Sequence, residues 1–286
     1  MSALQDVQTA AESIARKAGE LLLVGAKNVR GGGVHTKTSS MDVVTATDVA
    51  SEELIVARIR AAFPHDAIIA EEGAARTGST GRRWIIDPLD GTSNFVRKWD
   101  ASVVSIGVEL EGQFTVGVVY DPFRDELFSA TTGMGAFRNS QRLRLRTEKI
   151  PIAEAFVGMV GGYKPWAQTE RAAVASRILL SVGDLRYTGS AARDFCYLAD
   201  GRLDACFGNG YCIWDLAAGV GDRTRGRMHR QWTAGGLSTN QRPCGGSHPE
   251  TDARVPFRCA GRARYHRCSK PERPARLNRF YVKRWP

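Results

Sequence analysis

A chain of 286 residues, 43% hydrophobic and 24% charged, is long enough to bury a substantial core and too apolar for a disordered protein. Its formal net charge of +10 invites a nucleic-acid reading, but residues 221–286 hold 16 Lys/Arg against 4 Asp/Glu, while residues 1–220 hold 24 against 26. The first three quarters are therefore no polycation, and neither the opening Met1–Asp6 nor any apolar run has the form of a secretion signal or a bilayer span, so the sequence reads as a soluble cytoplasmic protein.

Val7, Ala10, Ala11, Ile14, Ala15, Ala18, Leu21 and Leu22 recur at helical spacing and predict an N-terminal helix that Gly31-Gly32-Gly33 ends. A second helix, capped by Asp48, runs through Leu54, Ile55 and Ile59 to Phe63-Pro64. Ala67 to Ala70 is a short buried strand that delivers Glu71 and Glu72 at its end. Trp84-Ile85-Ile86 is another, running straight into Asp87-Pro88-Leu89-Asp90-Gly91-Thr92. Ser102 to Glu109, a turn at Glu111-Gly112, Phe114 to Tyr120 and Glu126 to Phe128 follow as an antiparallel meander. Residues 168–182 and Ala191 to Asp200 are again helical. The six cysteines include no C-x-x-C pair and read as thiols; zinc held by Cys244, His248, Cys259, His266 and Cys268 is disfavoured, because the spacing fits no closed zinc module.

Four acidic clusters begin or end these elements: Asp42 to Asp48, Glu71-Glu72-Gly73, Asp87 to Phe95, and Trp214 to Gly219. Singly, each has a plain structural explanation as a cap, a turn or a solvated loop. Jointly they suit hard divalent cations, which take oxygen ligands and complete their shell with water and phosphate. Pro88 fixes its own φ and pushes Asp87 towards an extended backbone, so Asp87 and Asp90 can converge on one site. Gly91 and Thr92 then stand at a helix start, a place suited to a phosphate.

The run W-I-I-D-P-L-D-G-T-S-N-F at Trp84 to Phe95 resembles the first signature of the inositol monophosphatase family of magnesium-dependent, lithium-sensitive sugar phosphatases. W-D-L-A-A-G at Trp214 to Gly219 resembles its second signature, and G-S-A-A at Gly189 to Ala192 and D-x-V-T-x-x-D at Asp42 to Asp48 also fit. The resemblance covers about Val7 to Val220. It implies a mixed α/β fold, the five-layer αβαβα sandwich; the predicted elements themselves fall in two clusters, residues 1–150 as an α+β part with the metal site and 151–220 as the start of a second α/β part. The resemblance implies a first Mg2+ on Glu71, Asp87 and the Leu89 carbonyl, a second on Asp87, Asp90 and Asp215, and a weaker third leaning on Glu71. Thr92 and Asp48 would orient and deprotonate the attacking water, with Glu71 as a further catalytic group. Lys37 stands where the family often has a basic residue, though a solvated loop lysine is as good a reading. Asp90, Gly91, Thr92, Gly189, Ser190, Ala191 and Asp215 would contact a small-molecule phosphate monoester. The resemblance leaves a homodimer open and implies neither a membrane nor a nucleic-acid partner.

One departure bears on substrate. Inositol-binding members carry a Glu seven residues before the second-signature Asp, where this chain has Gly208. Losing that acceptor costs hydroxyl selectivity more than phosphoryl chemistry. Inositol monophosphate leads the candidates, with histidinol phosphate, fructose 1,6-bisphosphate and nucleotide 3′-phosphates open.

After Val220 the resemblance stops. Gly221 to Arg230 has no apolar stripe, and six of the eleven prolines and three of the six cysteines lie in the segment 221–286. One explanation is a shifted reading frame: codons can be chosen for Gly221 to Trp232 that, read one nucleotide later, give V-I-A-R-E-A-G-C-T-V-S, and the same shift from Asn240 can give T-S-D-R-A-A-G-P-T. Both suit a member of the family. The rival explanation is a genuine basic tail, and with it a non-catalytic protein that uses a phosphatase scaffold to bind nucleic acid or an acidic partner.

Overall fold

A computed structural model describes residues 3–28, 34–39, 42–144, 150–161 and 165–219. The glycine run 31–33 and the segment 221–286 lie outside the described residues.

Helix α1 (Ala3–Asn28) buries Val7, Ala11, Ile14, Ala15, Ala18 and Leu22, the stripe its 3.6-residue period predicts. A hairpin of β1 (Val34–Ser39) and β2 (Asp42–Thr45) leads into α2 (Ala46–Ala62). The cap of α2 is Thr45 rather than Asp48. The Thr45 hydroxyl accepts from the Asp48 amide, and the Asp48 carboxylate, at the third helical position, reaches back to the Thr45 amide. This reciprocal box satisfies two amides that the helix start would leave unbonded.

The central sheet has eight strands in the order β10-β9-β8-β7-β6-β5-β3-β4. They are β3 (Ala67–Ala70), β4 (Ala75–Arg76), β5 (Arg82–Asp90), β6 (Val103–Leu110), β7 (Gln113–Asp121), β8 (Glu126–Thr131), β9 (Gly135–Arg138) and β10 (Gln141–Arg142). All pairings are antiparallel except β3 with β5. Strand β5 runs on through the acidic motif, with its register against β6 broken between Asp87 and Asp90. Pro88 has no amide to give the ladder there. The short helix α3 (Thr92–Val96) follows.

A second, parallel sheet of order β12-β11-β13 contains β11 (Phe156–Gly161), β12 (Asp184–Arg186) and β13 (Ala205–Asn209). Helix α4 (Pro165–Ile178) covers one face through Val174 on Val157 and Phe207. Helix α5 (Ala191–Ala199) covers the other, where Gly158 and Cys206 point, and also reaches the large sheet beside α6 (Ile213–Ala217). With α1 and α2 on the far face of the large sheet, the layers run αβαβα. The predicted helix 168–182 is shorter at its end: α4 stops at Ile178, and Leu179 and Leu180 are 57% and 84% exposed, with no core to face.

Two contacts fix the site's framework. Helix α6 lies directly on the sheet: a Cβ on Gly117 would sit 2.1 Å from the Ala218 carbonyl oxygen, and one on Gly107 2.5 Å from the Ala217 Cβ. Asp66 closes the entry to β5, accepting from Arg82 Nε at 2.5 Å, Thr80 Oγ1 at 2.7 Å and Trp84 Nε1 at 2.8 Å. Burial pushes its carboxyl up, but these bonds outweigh burial and hold it below the ordinary 3.8. The stability it lends is therefore full above the unfolded value and is lost as pH falls through the folded one. Asp66→Ala should cost about 3 kcal/mol in denaturant unfolding at pH 7 by stranding buried Trp84 Nε1 and part-buried Arg82, with the difference from the parent narrowing as pH falls through the depressed folded value.

Candidate active site

The site forms where β5 ends against α2, α3, α5 and α6. Along α2, Asp48, Ser51 and Glu52 occupy one face at helical spacing, and all three are buried. Ser51 donates to the Pro88 carbonyl at 2.9 Å, tying α2 to the acidic motif. Glu52 accepts from the amides of Glu72 at 2.8 Å and Ala74 at 2.9 Å, which holds the turn that presents Glu71. The Glu71 amide in turn donates to the Ile86 carbonyl at 3.1 Å.

Asp87 and Asp90 are 1% and 8% exposed. Burial first, then the charges of Glu71, Asp90 and Asp215, drive the Asp87 carboxyl well above its ordinary value, and Glu71 hydrogen-bonds to it. Two carboxyls bonded to each other share a proton, so this cluster calls for positive charge. Asp90 is raised by burial and steadied by bonds at 2.7 Å to its Oδ2 from the Ser190 hydroxyl and the Ala192 amide. Asp215 accepts from the Cys212 amide at 2.7 Å, at the third position of α6.

Thr92 donates from Oγ1 to Asp48 Oδ1 at 2.9 Å, with the Leu89 carbonyl at 3.1 Å as its other acceptor. Asp48 is raised above its ordinary value, mostly by burial, against the pull of its bonds from Thr45 and Thr92. Gly91 has φ +93°, and a Cβ there would lie 2.8 Å from the Ala101 carbonyl oxygen, so the turn into α3 requires glycine. Asn94 donates to the carbonyls of Thr188 and Ala101 at 2.8 Å, bringing the 188–190 loop onto the motif.

The structure thus brings Asp48, Glu71, Asp87, Asp90, Thr92 and Asp215 to one region, with Ser190 and Ala191 on Asp90 and Gly189 on Asn94. The side chains of Lys37 and Asp42 lie outside the described residues. Sequence reading missed Ser51, Glu52, Asn94 and Thr188; the helical spacing of Ser51 and Glu52 from Asp48 is a signal that could have found the first two. At Gly208 a Cβ would lie 1.9 Å from the Val160 carbonyl oxygen and 2.3 Å from the Tyr211 hydroxyl, so the position has no room for a carboxylate side chain as packed.

The profile of the Inositol monophosphatase family matches residues 3–221. The chain belongs to that family. The Nus factor SuhB of Pasteurella multocida is 41% identical over 210 residues, 72% of this chain and 77% of the relative. The extragenic suppressor protein suhB of Bartonella henselae superposes with a TM-score of 0.71 at 31% identity, covering 75% of this chain and 83% of that one. A staphylococcal IMPase-II, solved with inositol monophosphate bound, matches with a TM-score of 0.61 at 28% identity over 75% and 78%.

The donor set consists of carboxylates and a backbone carbonyl, hard oxygen ligands that fit Mg2+. Among the described residues no three His, Cys, Asp or Glu side chains are drawn close enough to hold an ion as they stand. No helix among the described residues is long and apolar enough to cross a membrane.

Proposed function

We propose that this protein is a magnesium-dependent phosphomonoesterase acting on inositol monophosphate or a related small polyol phosphate. The observation that carries the reading is the buried Asp87 carboxyl, raised by burial and by the nearby charges of Glu71, Asp90 and Asp215, beside the Thr92–Asp48 pair. Glu71, Asp87, the Leu89 carbonyl, Asp90 and Asp215 would hold two or three Mg2+ ions. Bound there, Mg2+ supplies the charge that acidifies a water and neutralises the phosphate. The chain's own residues do the positioning. Thr92, with its proton committed to Asp48, offers lone pairs that orient a water. Asp48, its basicity raised by burial, takes the proton through that hydroxyl. Ser190 and Ala192 hold Asp90 in one orientation, so little reorganisation is left for the reaction. Phosphate release from a panel of sugar phosphates, with and without 5 mM-scale Mg2+, tests this; release unaffected by chelation would sink it.

The bound inositol monophosphate of the staphylococcal relative supports that substrate class, while Gly208 speaks for relaxed selectivity among polyols. The relatives' name, Nus factor, favours a second reading in which the scaffold serves a macromolecular partner. The two separate cleanly. Hydrolysis abolished by Asp90→Asn supports the first, and salt-sensitive nucleic-acid binding that survives Asp90→Asn supports the second.

The family match ends at residue 221, one residue into the basic, proline-rich segment. An end there is expected both for a change of reading frame just after Val220 and for a genuine basic tail.

A further inference from the structure

We propose that Asp194 is a positioning residue for Asp90, acting through Thr188 and the 188–190 loop. Asp194 lies in α5 and is 0% exposed. Its Oδ1 accepts from the Thr188 hydroxyl at 2.5 Å. Its Oδ2 is buried with no hydrogen-bond partner. The Thr188 carbonyl accepts from Asn94 at 2.8 Å, so Thr188 is clamped between α3 and α5. Gly189 follows with φ +75°, and then Ser190, whose hydroxyl donates to Asp90. The two ends of this short loop therefore meet Asp194 on one side and the acidic motif on the other. The proposal rests on the reading of Asp90 as a cation- and phosphate-facing group.

An ordinary packing residue would not be an acid here. A buried carboxylate oxygen with no donor carries its full desolvation penalty uncompensated. Gly158 faces it from β11 with space for nothing larger: a Cβ there would sit 3.5 Å from Oδ2 and 2.9 Å from the Cys206 sulfur. The charged and titratable groups around Asp194 are Arg193 beside it on α5, Asp90 from β5, Cys206 from β13 and Tyr211 from the loop before α6. Burial dominates and lifts the Asp194 carboxyl to about 7, against the Thr188 bond and Arg193. The neutral acid, with its proton on Oδ2, still receives the Thr188 hydroxyl on Oδ1. Above that pH the ionised form binds Thr188 more strongly at the cost of a bare Oδ2.

Calorimetric titration with Mg2+ and amide hydrogen exchange over residues 188–192 test this in the full chain. Asp194→Ala and Thr188→Val should each weaken Mg2+ binding by about tenfold or more and speed exchange at Ser190 and Ala192. Asp194→Asn keeps an acceptor for Thr188, so it should restore affinity to within about threefold and abolish the change in exchange between pH 6 and pH 8. Unchanged exchange at 190–192 in Thr188→Val overturns the proposal, as does Asp194→Asn behaving like Asp194→Ala. The Thr188 hydroxyl also accepts from the Ser190 amide at 3.4 Å, so Asp194→Ala is the deciding variant: if the parent chain binds no Mg2+ yet Asp194→Ala still loosens Ser190 and Ala192, the phosphatase reading has failed and the positioning role stands.

Discussion

Joining Val220 to the sequence encoded one nucleotide later should raise both the stability and the Mg2+-dependent activity of the chain. The physical reason lies in α6. Asp215 sits at its third position, and the helix runs only to Ala217 before the turn at Ala218 and Gly219. Beside that turn an apolar groove, lined by Val119, Phe128, Ala130, Phe137, Leu143 and Phe195, opens between the large sheet and α5. The in-frame sequence after Val220 carries Arg223, Arg225, Arg227 and Arg230, charges that are costly to bury unpaired. The shifted string V-I-A-R-E-A-G-C-T-V-S offers that groove valine, isoleucine and alanine. Burying even three such side chains contributes about 5 kcal/mol, comparable to the whole net stability of a domain. The melting temperature should rise by about 10 °C or more, and Mg2+-dependent phosphate release by about a hundredfold or more. Reading the gene is the direct check: a sequence in frame throughout, with no base gained or lost near codon 220, rules the shift out. Deleting 221–286 gives the complementary result. A dispensable tail leaves a folded, active enzyme, whereas a broken fold stays poorly soluble.

What the sequence made legible was what is contiguous. Asp87, Asp90, Gly91 and Thr92 fall within six residues, and β5 delivers them to one place whatever the rest of the chain does. The meander from β6 to β8 was legible because each turn joins neighbouring strands. The parallel sheet was not. Strands β11 and β13 are short, carry Gly158, Gly161 and Gly208, and pair across more than forty residues, so neither alternation nor length announces them. Helix α2 shows how a functional face hides from periodicity. Its buried first turn is Asp48, Ser51 and Glu52, and the apolar stripe begins only at Ile55. A search for apolar spacing passes over the residues that build the site. The clamp of Asn94 on Thr188 spans 94 positions and has no local signature at all.

Asp90→Asn in the frame-restored chain should separate activity from stability. The bonds from Ser190 and Ala192 both end on Asp90 Oδ2, and an asparagine oxygen can accept them in the same geometry. The fold therefore keeps its contacts between β5 and α5. What changes is charge. Asp90 is one of the carboxylates that raise Asp87, and burial already disfavours its own ionised form. Raised carboxyls destabilise the folded state once pH climbs above their unfolded values, so removing one should leave the metal-free melting temperature equal or higher at pH 7. Hydrolysis should fall by about a thousandfold, because the lost charge is one that must face the cation and the phosphate in the transition state. Mg2+ at about a hundred times its dissociation constant should stabilise the parent by roughly 2.7 kcal/mol and the variant by far less. A variant that melts early and loses activity in proportion would instead make Asp90 a structural residue. A variant that keeps its rate would remove the site from the reaction altogether. Only the combination of retained melting temperature, lost rate and lost Mg2+ stabilisation assigns Asp90 to the chemistry.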